Sequence, residues 1–140
     1  MNKVTVEKII DQAVKNLFQN QSNIYEFTSE TRQTEWNLAH HLAVEIHNLL
    51  PWFDYDLDIA KPNYDNKRPD IVLHKRGNHD SNFLVIEVKR DGSETAIDED
   101  IQKVKNQWFR PVLSYEFGAV VNLKPNKTWE IKVLKNDEVR

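Results

Sequence analysis

The stretch KRPDIVLHKRGNHDSNFLVIEVKR, residues 67–90, is the part of the chain that most constrains its fold. Its two apolar runs, 70–74 and 82–89, are short and rich in branched residues, which predicts two β-strands. The polar segment between the runs contains Gly77-Asn78, a pair that favours a tight hairpin turn. We therefore predict an antiparallel strand pair in this stretch.

Both strands of this predicted hairpin carry charges. Because side chains alternate faces along a strand, Glu87 and Lys89 are expected on the same face as Phe83 and Val85. Asp70 opens the first strand, and closure of the hairpin would bring it near the two charges. A buried carboxylate costs several kcal/mol unless it is paired or bound to a metal ion. The alternative is an edge strand on which the charges simply face water.

The rest of the chain alternates between helical and extended periodicity. Helical spacing of apolar residues predicts three helices: 4–19, a second from near 28–31 to Pro51 with its apolar pattern beginning at Trp36, and 96–109. Extended patterns predict further strands at 52–60, 117–123 and 128–134, the middle one buried on both faces and the last at an edge. This order predicts an α/β fold with a mixed sheet, in which an antiparallel meander is followed by a helical crossover.

Glu35 occupies a position on the apolar face of the second predicted helix. The residues three, four, seven and eleven positions later are Leu38, Ala39, Leu42 and Ile46. Its carboxylate is therefore predicted to point toward the sheet. The alternative is an acid in the first helical turn that is stabilised by the helix dipole.

The motifs RPD at 68–70 and EVK at 87–89, on successive strands after an acid-bearing helix, resemble those of the PD-(D/E)xK nuclease superfamily. The resemblance covers about 31–123, in the order helix, three strands, helix and strand. It implies one restriction-endonuclease-like domain over 1–140, to which the first helix and last strand are additions. It also implies a metal-dependent enzyme that hydrolyses the phosphodiester bonds of DNA.

The resemblance assigns roles to individual residues. It implies that Asp70 and Glu87 hold Mg²⁺ or Mn²⁺, that Lys89 orients or activates the attacking water, and that Glu35 is the additional acid of the first core helix. These residue types suit the chemistry, because Mg²⁺ prefers hard oxygen ligands and a bound divalent ion activates water. The main-chain carbonyl of Val88 could supply a third oxygen.

Basic residues surround the motifs in sequence and are predicted to bind backbone phosphates of DNA: Lys67, Arg68, Lys75, Arg76 and Arg90. The net charge of −3 does not exclude this partner, because a local basic patch is sufficient. Solvated hairpin ends are an equally good interpretation of these residues. The resemblance also implies a polar residue on the third predicted helix that assists the site, and Gln102 or Lys103 could serve.

Several other classes of function are disfavoured. The chain has no cysteine, which excludes disulfides and thiolate metal sites, and it lacks an HExxH zinc motif and a glycine-rich phosphate loop. No apolar run approaches the roughly 20 residues of a membrane span, so a cytoplasmic protein without a membrane partner is expected. A homodimer stays open. Two rival interpretations are a catalytically silent module that binds DNA or a protein, and a structural domain with a solvated EVK motif.

Overall fold

A computed structural model describes residues 1–27, 32–57, 69–77 and 81–138. The helices and strands follow in the order α1 (Lys3–Asn20), α2 (Ile24–Phe27), α3 (Arg32–Leu49), β1 (Asp54–Leu57), β2 (Ile71–His74), β3 (Leu84–Arg90), α4 (Glu94–Lys103), β4 (Phe117–Lys124) and β5 (Thr128–Lys135). A π-helical segment, Val104–Trp108, continues α4.

The five strands form one mixed sheet in the order β1-β2-β3-β4-β5. The first three strands are an antiparallel meander, and α4 then crosses over so that β4 pairs with β3 in parallel. The last strand, β5, is antiparallel to β4 and lies at an edge. The sequence-based prediction of an α/β fold with a meander, a crossover and a final edge strand is confirmed.

Helices cover both faces of the sheet. The larger core lies between the sheet and the helices α1 and α3, and β3 contributes Leu84, Ile86 and Val88 to it. The smaller core lies on the opposite face, where Val85 packs with Trp108 at the end of the π-helical segment. As a result β3 is buried between two layers of side chains. Within the described ranges, no helix combines the length and apolar character needed to cross a membrane.

The structure corrects two expectations about which side chains are buried. Trp36 is 54% exposed and stacks on His40, so it does not belong to the apolar face of α3. Phe83 packs in the larger core, stacked on Phe53, and does not share a face with Val85. The reason for the second error is that β3 begins one residue later, so that strand alternation does not apply at Phe83.

Some predicted features lie outside the described residues. They are the start of the second helix at 28–31, the end of the strand 52–60, and part of the turn between β2 and β3. The third predicted helix is present, but α-helical hydrogen bonding stops at Lys103 and the π-helical segment replaces its last turn.

Candidate functional site

The hairpin register brings Asp70 level with Glu87. Ile71 pairs with Ile86 in the antiparallel ladder between β2 and β3. Asp70, which precedes Ile71, therefore lies opposite Glu87, which follows Ile86. Both side chains project toward α4, on the face opposite the larger core. The predicted proximity of the two carboxylates therefore follows from strand pairing.

Asp70 also replaces a missing partner in the ladder. Pro69, which would continue the pairing opposite Val88, has no N–H group to donate. The Val88 N–H instead donates a hydrogen bond of 2.7 Å to Oδ2 of Asp70. Because the N–H and C=O of a strand residue point to the same edge, the Val88 carbonyl also faces Asp70. The role of this oxygen as a third metal ligand stays a prediction.

Glu87 is buried in the central strand of the sheet, with 2% of its surface exposed. Its Oε1 accepts a hydrogen bond of 3.1 Å from Nε1 of Trp108, and its Oε2 accepts one of 3.2 Å from Nζ of Lys103. The interpretation of the EVK motif as a solvated edge strand is therefore wrong for Glu87. Of the two polar residues suggested on α4, Lys103 contacts the site and Gln102 is exposed.

Burial raises the pKa values of both carboxyl groups. Burial, supported by the negative charge of Asp70, raises the pKa of Glu87 to about 8, although the ammonium of Lys103 opposes the shift. Burial also raises the pKa of Asp70, against the hydrogen bond from Val88 and the charge of Lys103. A site that crowds acids in this way stabilises a bound cation.

Lys89 lies on the same face of β3, as predicted, and pairs with an acid of α4. Its Nζ is 3.5 Å from Oδ2 of Asp100, a residue with 7% of its surface exposed. Burial lowers the pKa of Lys89, but the negative charges of Asp100, Glu35 and Asp70 outweigh this effect and the pKa is raised. Glu35 is half-buried at the start of α3, close enough to act on both Lys89 and Asp100.

Asp100 was missed in the sequence, although a signal was present. It follows Ile97 by three residues and precedes Val104 by four, which places it on the apolar face of α4. The same reasoning had selected Glu35. Burial raises the pKa of Asp100, while the charges of Lys89 and Lys103 oppose the shift.

The basic residues predicted to bind DNA do not come together around the acids. Arg76 lies beyond the opposite end of β2, where its guanidinium donates to Asp56 at 2.9 and 3.0 Å. Lys75, next to it, donates to the carbonyl oxygen of Trp52. The physical reason is that β2 runs away from Asp70, so residues near it in sequence are far from it in space.

Arg90 lies on the other face of the sheet from Lys89. Its guanidinium carbon is 4.2 Å from the centroid of the Tyr25 ring, a cation–π contact with α2. Lys75, Arg76 and Arg90 therefore do not form one patch around the acids, and their binding to DNA stays a prediction. Lys67 and Arg68 lie outside the described residues.

The donor set at Asp70 and Glu87 fits a hard divalent cation. In the part of the chain that the structure describes, no three His, Asp or Glu side chains are grouped closely enough to hold a metal ion. Mg²⁺, however, commonly takes one or two protein carboxylates and fills its other positions with water and phosphate. Asp70, Glu87 and the Val88 carbonyl offer oxygen donors of that kind.

Comparisons with known proteins do not assign the chain to a family. No protein-family model and no curated protein matches it. Among solved structures, one described as "Crystal structure of SSO0001" is similar over 97% of this chain and 82% of that chain, with 15% sequence identity and a TM-score of 0.35. A similarity at this level carries no argument about fold or function.

Proposed function

We propose that the protein is a divalent-metal-dependent nuclease with a restriction-endonuclease-like fold, which hydrolyses phosphodiester bonds of DNA. The observation that carries the proposal is the meeting of Asp70, Glu87 and Lys89 on one face of the sheet, with Glu35 approaching from α3. Buried acids that crowd one another beside a lysine are a recurring feature of catalytic sites.

Each of these side chains has a distinct task in the proposed reaction. Asp70, Glu87 and the Val88 carbonyl would hold Mg²⁺ or Mn²⁺, which when bound activates water and neutralises charge on the phosphate. Lys89 keeps its proton, because the neighbouring acids raise its pKa. Its ammonium can therefore orient the attacking water or donate to a phosphate oxygen. Asp100 holds that ammonium at the site, 3.5 Å from its own carboxylate.

The test is cleavage of linear duplex, branched and single-stranded DNA in Mg²⁺ or Mn²⁺, with EDTA as the blank. Lys89→Ala is expected to abolish cleavage while metal binding persists, because the ammonium acts on water or phosphate and is not a ligand. Lys105→Ala removes one positive charge from the π-helical segment that follows α4 and is expected to cleave DNA like the wild type. Equal cleavage by Lys89→Ala and the wild type would show that the role given to Lys89 is wrong.

A second candidate function is a catalytically silent module of the same fold that binds DNA or a protein partner. The observation that favours it is a hydrogen-bond network that is satisfied without metal, since Glu87 accepts from Trp108 and Lys103 while Asp70 accepts from Val88. A silent module would bind DNA equally well in EDTA and in Mn²⁺ and would cleave none of the substrates.

A further inference from the structure

Lys103 stands between the buried acids and solvent. It is the last residue of α4, and its Nζ lies 3.2 Å from Oε2 of Glu87. The Lys103 side chain is 30% exposed, whereas that of Glu87 is 3% exposed. One end of the lysine thus contacts a carboxylate that water barely reaches, while its aliphatic part extends toward the surface.

The ammonium of Lys103 is the cation shared by three acids. Its positive charge lowers the pKa of Asp70, of Glu87 and of Asp100, in each case against the larger effect of burial. Lys89 makes its ion pair with Asp100, and its charge also lowers the pKa of Asp70, but of the two lysines only Lys103 acts on Glu87. Lys103 therefore supplies positive charge at the point where Asp70 and Glu87 converge.

A divalent cation held by Asp70 and Glu87 would lie close to the ammonium of Lys103. The two positive charges would repel each other strongly, because little water reaches this site to screen them. One of the donors on Glu87 would then have to move. Trp108 is fully buried and packed in the smaller core, so its indole N–H is held in place. Lys103 has a flexible and partly exposed side chain, so it is the donor that can leave.

We infer that Lys103 is an internal counterion, which neutralises the Asp70 and Glu87 pair in the metal-free protein and is displaced when a divalent cation binds. The inference rests on the proposed function, because it concerns the same metal site. It makes Lys103 a determinant of metal affinity: the lysine holds the acids together without metal and competes with the cation for Glu87.

The experiment is calorimetric titration of Mn²⁺ into the wild type, Lys103→Met and a matched control, Lys105→Met. Methionine keeps much of the aliphatic chain and removes the charge, so Lys103→Met is expected to bind Mn²⁺ about tenfold tighter or more. Lys105→Met changes the net charge equally and is expected to bind like the wild type. In EDTA, Lys103→Met should also melt at a lower temperature, because three acids lose their common cation.

Lys103→Gln is a second variant, because it keeps a donor for Glu87 and is less disruptive if methionine impairs folding. It should show the same tighter binding. Variants at Lys103 that bind Mn²⁺ no more tightly than the wild type would overturn the counterion inference and leave the metal site intact. Absence of Mn²⁺ binding in all of these proteins would overturn the proposed metal-dependent function and the inference with it.

Discussion

Glu87 is predicted to make the metal-free protein lose stability as the pH rises. Its pKa is about 8 in the folded protein, compared with 4.5 ordinarily, because of burial and the adjacent charge of Asp70. Folding therefore favours the protonated form. The stability associated with neutral Glu87 is fully present below pH 4.5 and is lost as the pH rises through about 8.

The size of this loss follows from the interval between the two pKa values. The interval from 4.5 to about 8, at ~1.4 kcal/mol per pH unit, corresponds to a loss on the order of 5 kcal/mol. Such a loss is large for a domain whose total stability is ordinarily about 5–15 kcal/mol. Burial also raises the pKa values of Asp70 and Asp100, so these groups act in the same direction.

The assay is urea unfolding in EDTA at a series of pH values from about 5 to 8.5, which brackets most of the titration of Glu87. Glu87→Gln mimics the neutral acid and should remove most of the pH dependence above pH 6. Glu99→Gln, on the exposed side of α4, changes the net charge equally and should retain the wild-type profile. A Glu87→Gln profile as steep as that of the wild type would refute the assignment of this titration to Glu87.

Two further predictions concern the neighbours of this site. Asp70→Asn keeps an acceptor for the Val88 N–H and removes the repulsion with Glu87, so in EDTA it should be at least as stable as the wild type. Mn²⁺ at about 100-fold its dissociation constant should stabilise the wild type by roughly 2.7 kcal/mol, and Asp70→Asn should lose most of that gain. An Asp70→Asn protein that melts markedly lower in EDTA would indicate that the negative charge itself caps the strand. Gly118→Ala should destabilise the fold by about 1–3 kcal/mol, because the new Cβ would lie 2.3 Å from Cγ1 of Val104. Thermal melting of the double variant Gly118→Ala/Val104→Ala should show partial recovery, and no recovery would place the strain elsewhere.

Much of the site could be predicted because it depends on local rules of strand geometry. The observed pairing of β2 with β3 places Asp70 level with Glu87, and alternation places Glu87 and Lys89 on one face. Helical periodicity selected Glu35 and, applied to α4, would also have selected Asp100. These residues lie in regular elements, where spacing along the sequence converts directly into position in space.

Proximity in sequence did not predict where the basic residues lie, because each residue of a strand adds about 3.3 Å to the distance between its ends. Arg76 is thus roughly 20 Å along the chain from Asp70 and pairs with the acid Asp56 of β1. Arg90 follows Lys89 directly, but side chains alternate along β3, so Arg90 lies on the opposite face, where its guanidinium contacts the ring of Tyr25. The pairing of each arginine depends on a contact with a distant segment, which periodicity does not report.

The π-helical segment explains how one short stretch of chain supplies both hydrogen-bond donors to Glu87. Lys103 and Trp108 are five residues apart, and in an α-helix five residues advance about 1.4 turns, which would leave the two side chains on different sides. The observed bond from the Phe109 N–H to the Val104 carbonyl, 3.1 Å long, has the i→i+5 spacing of a π-turn. That wider turn brings the ammonium and the indole to the same side of the helix. The π-turn therefore lets the buried carboxylate of Glu87 accept hydrogen bonds from both the fixed indole N–H of Trp108 and the displaceable ammonium of Lys103. π-turns of this kind are frequent at functional sites.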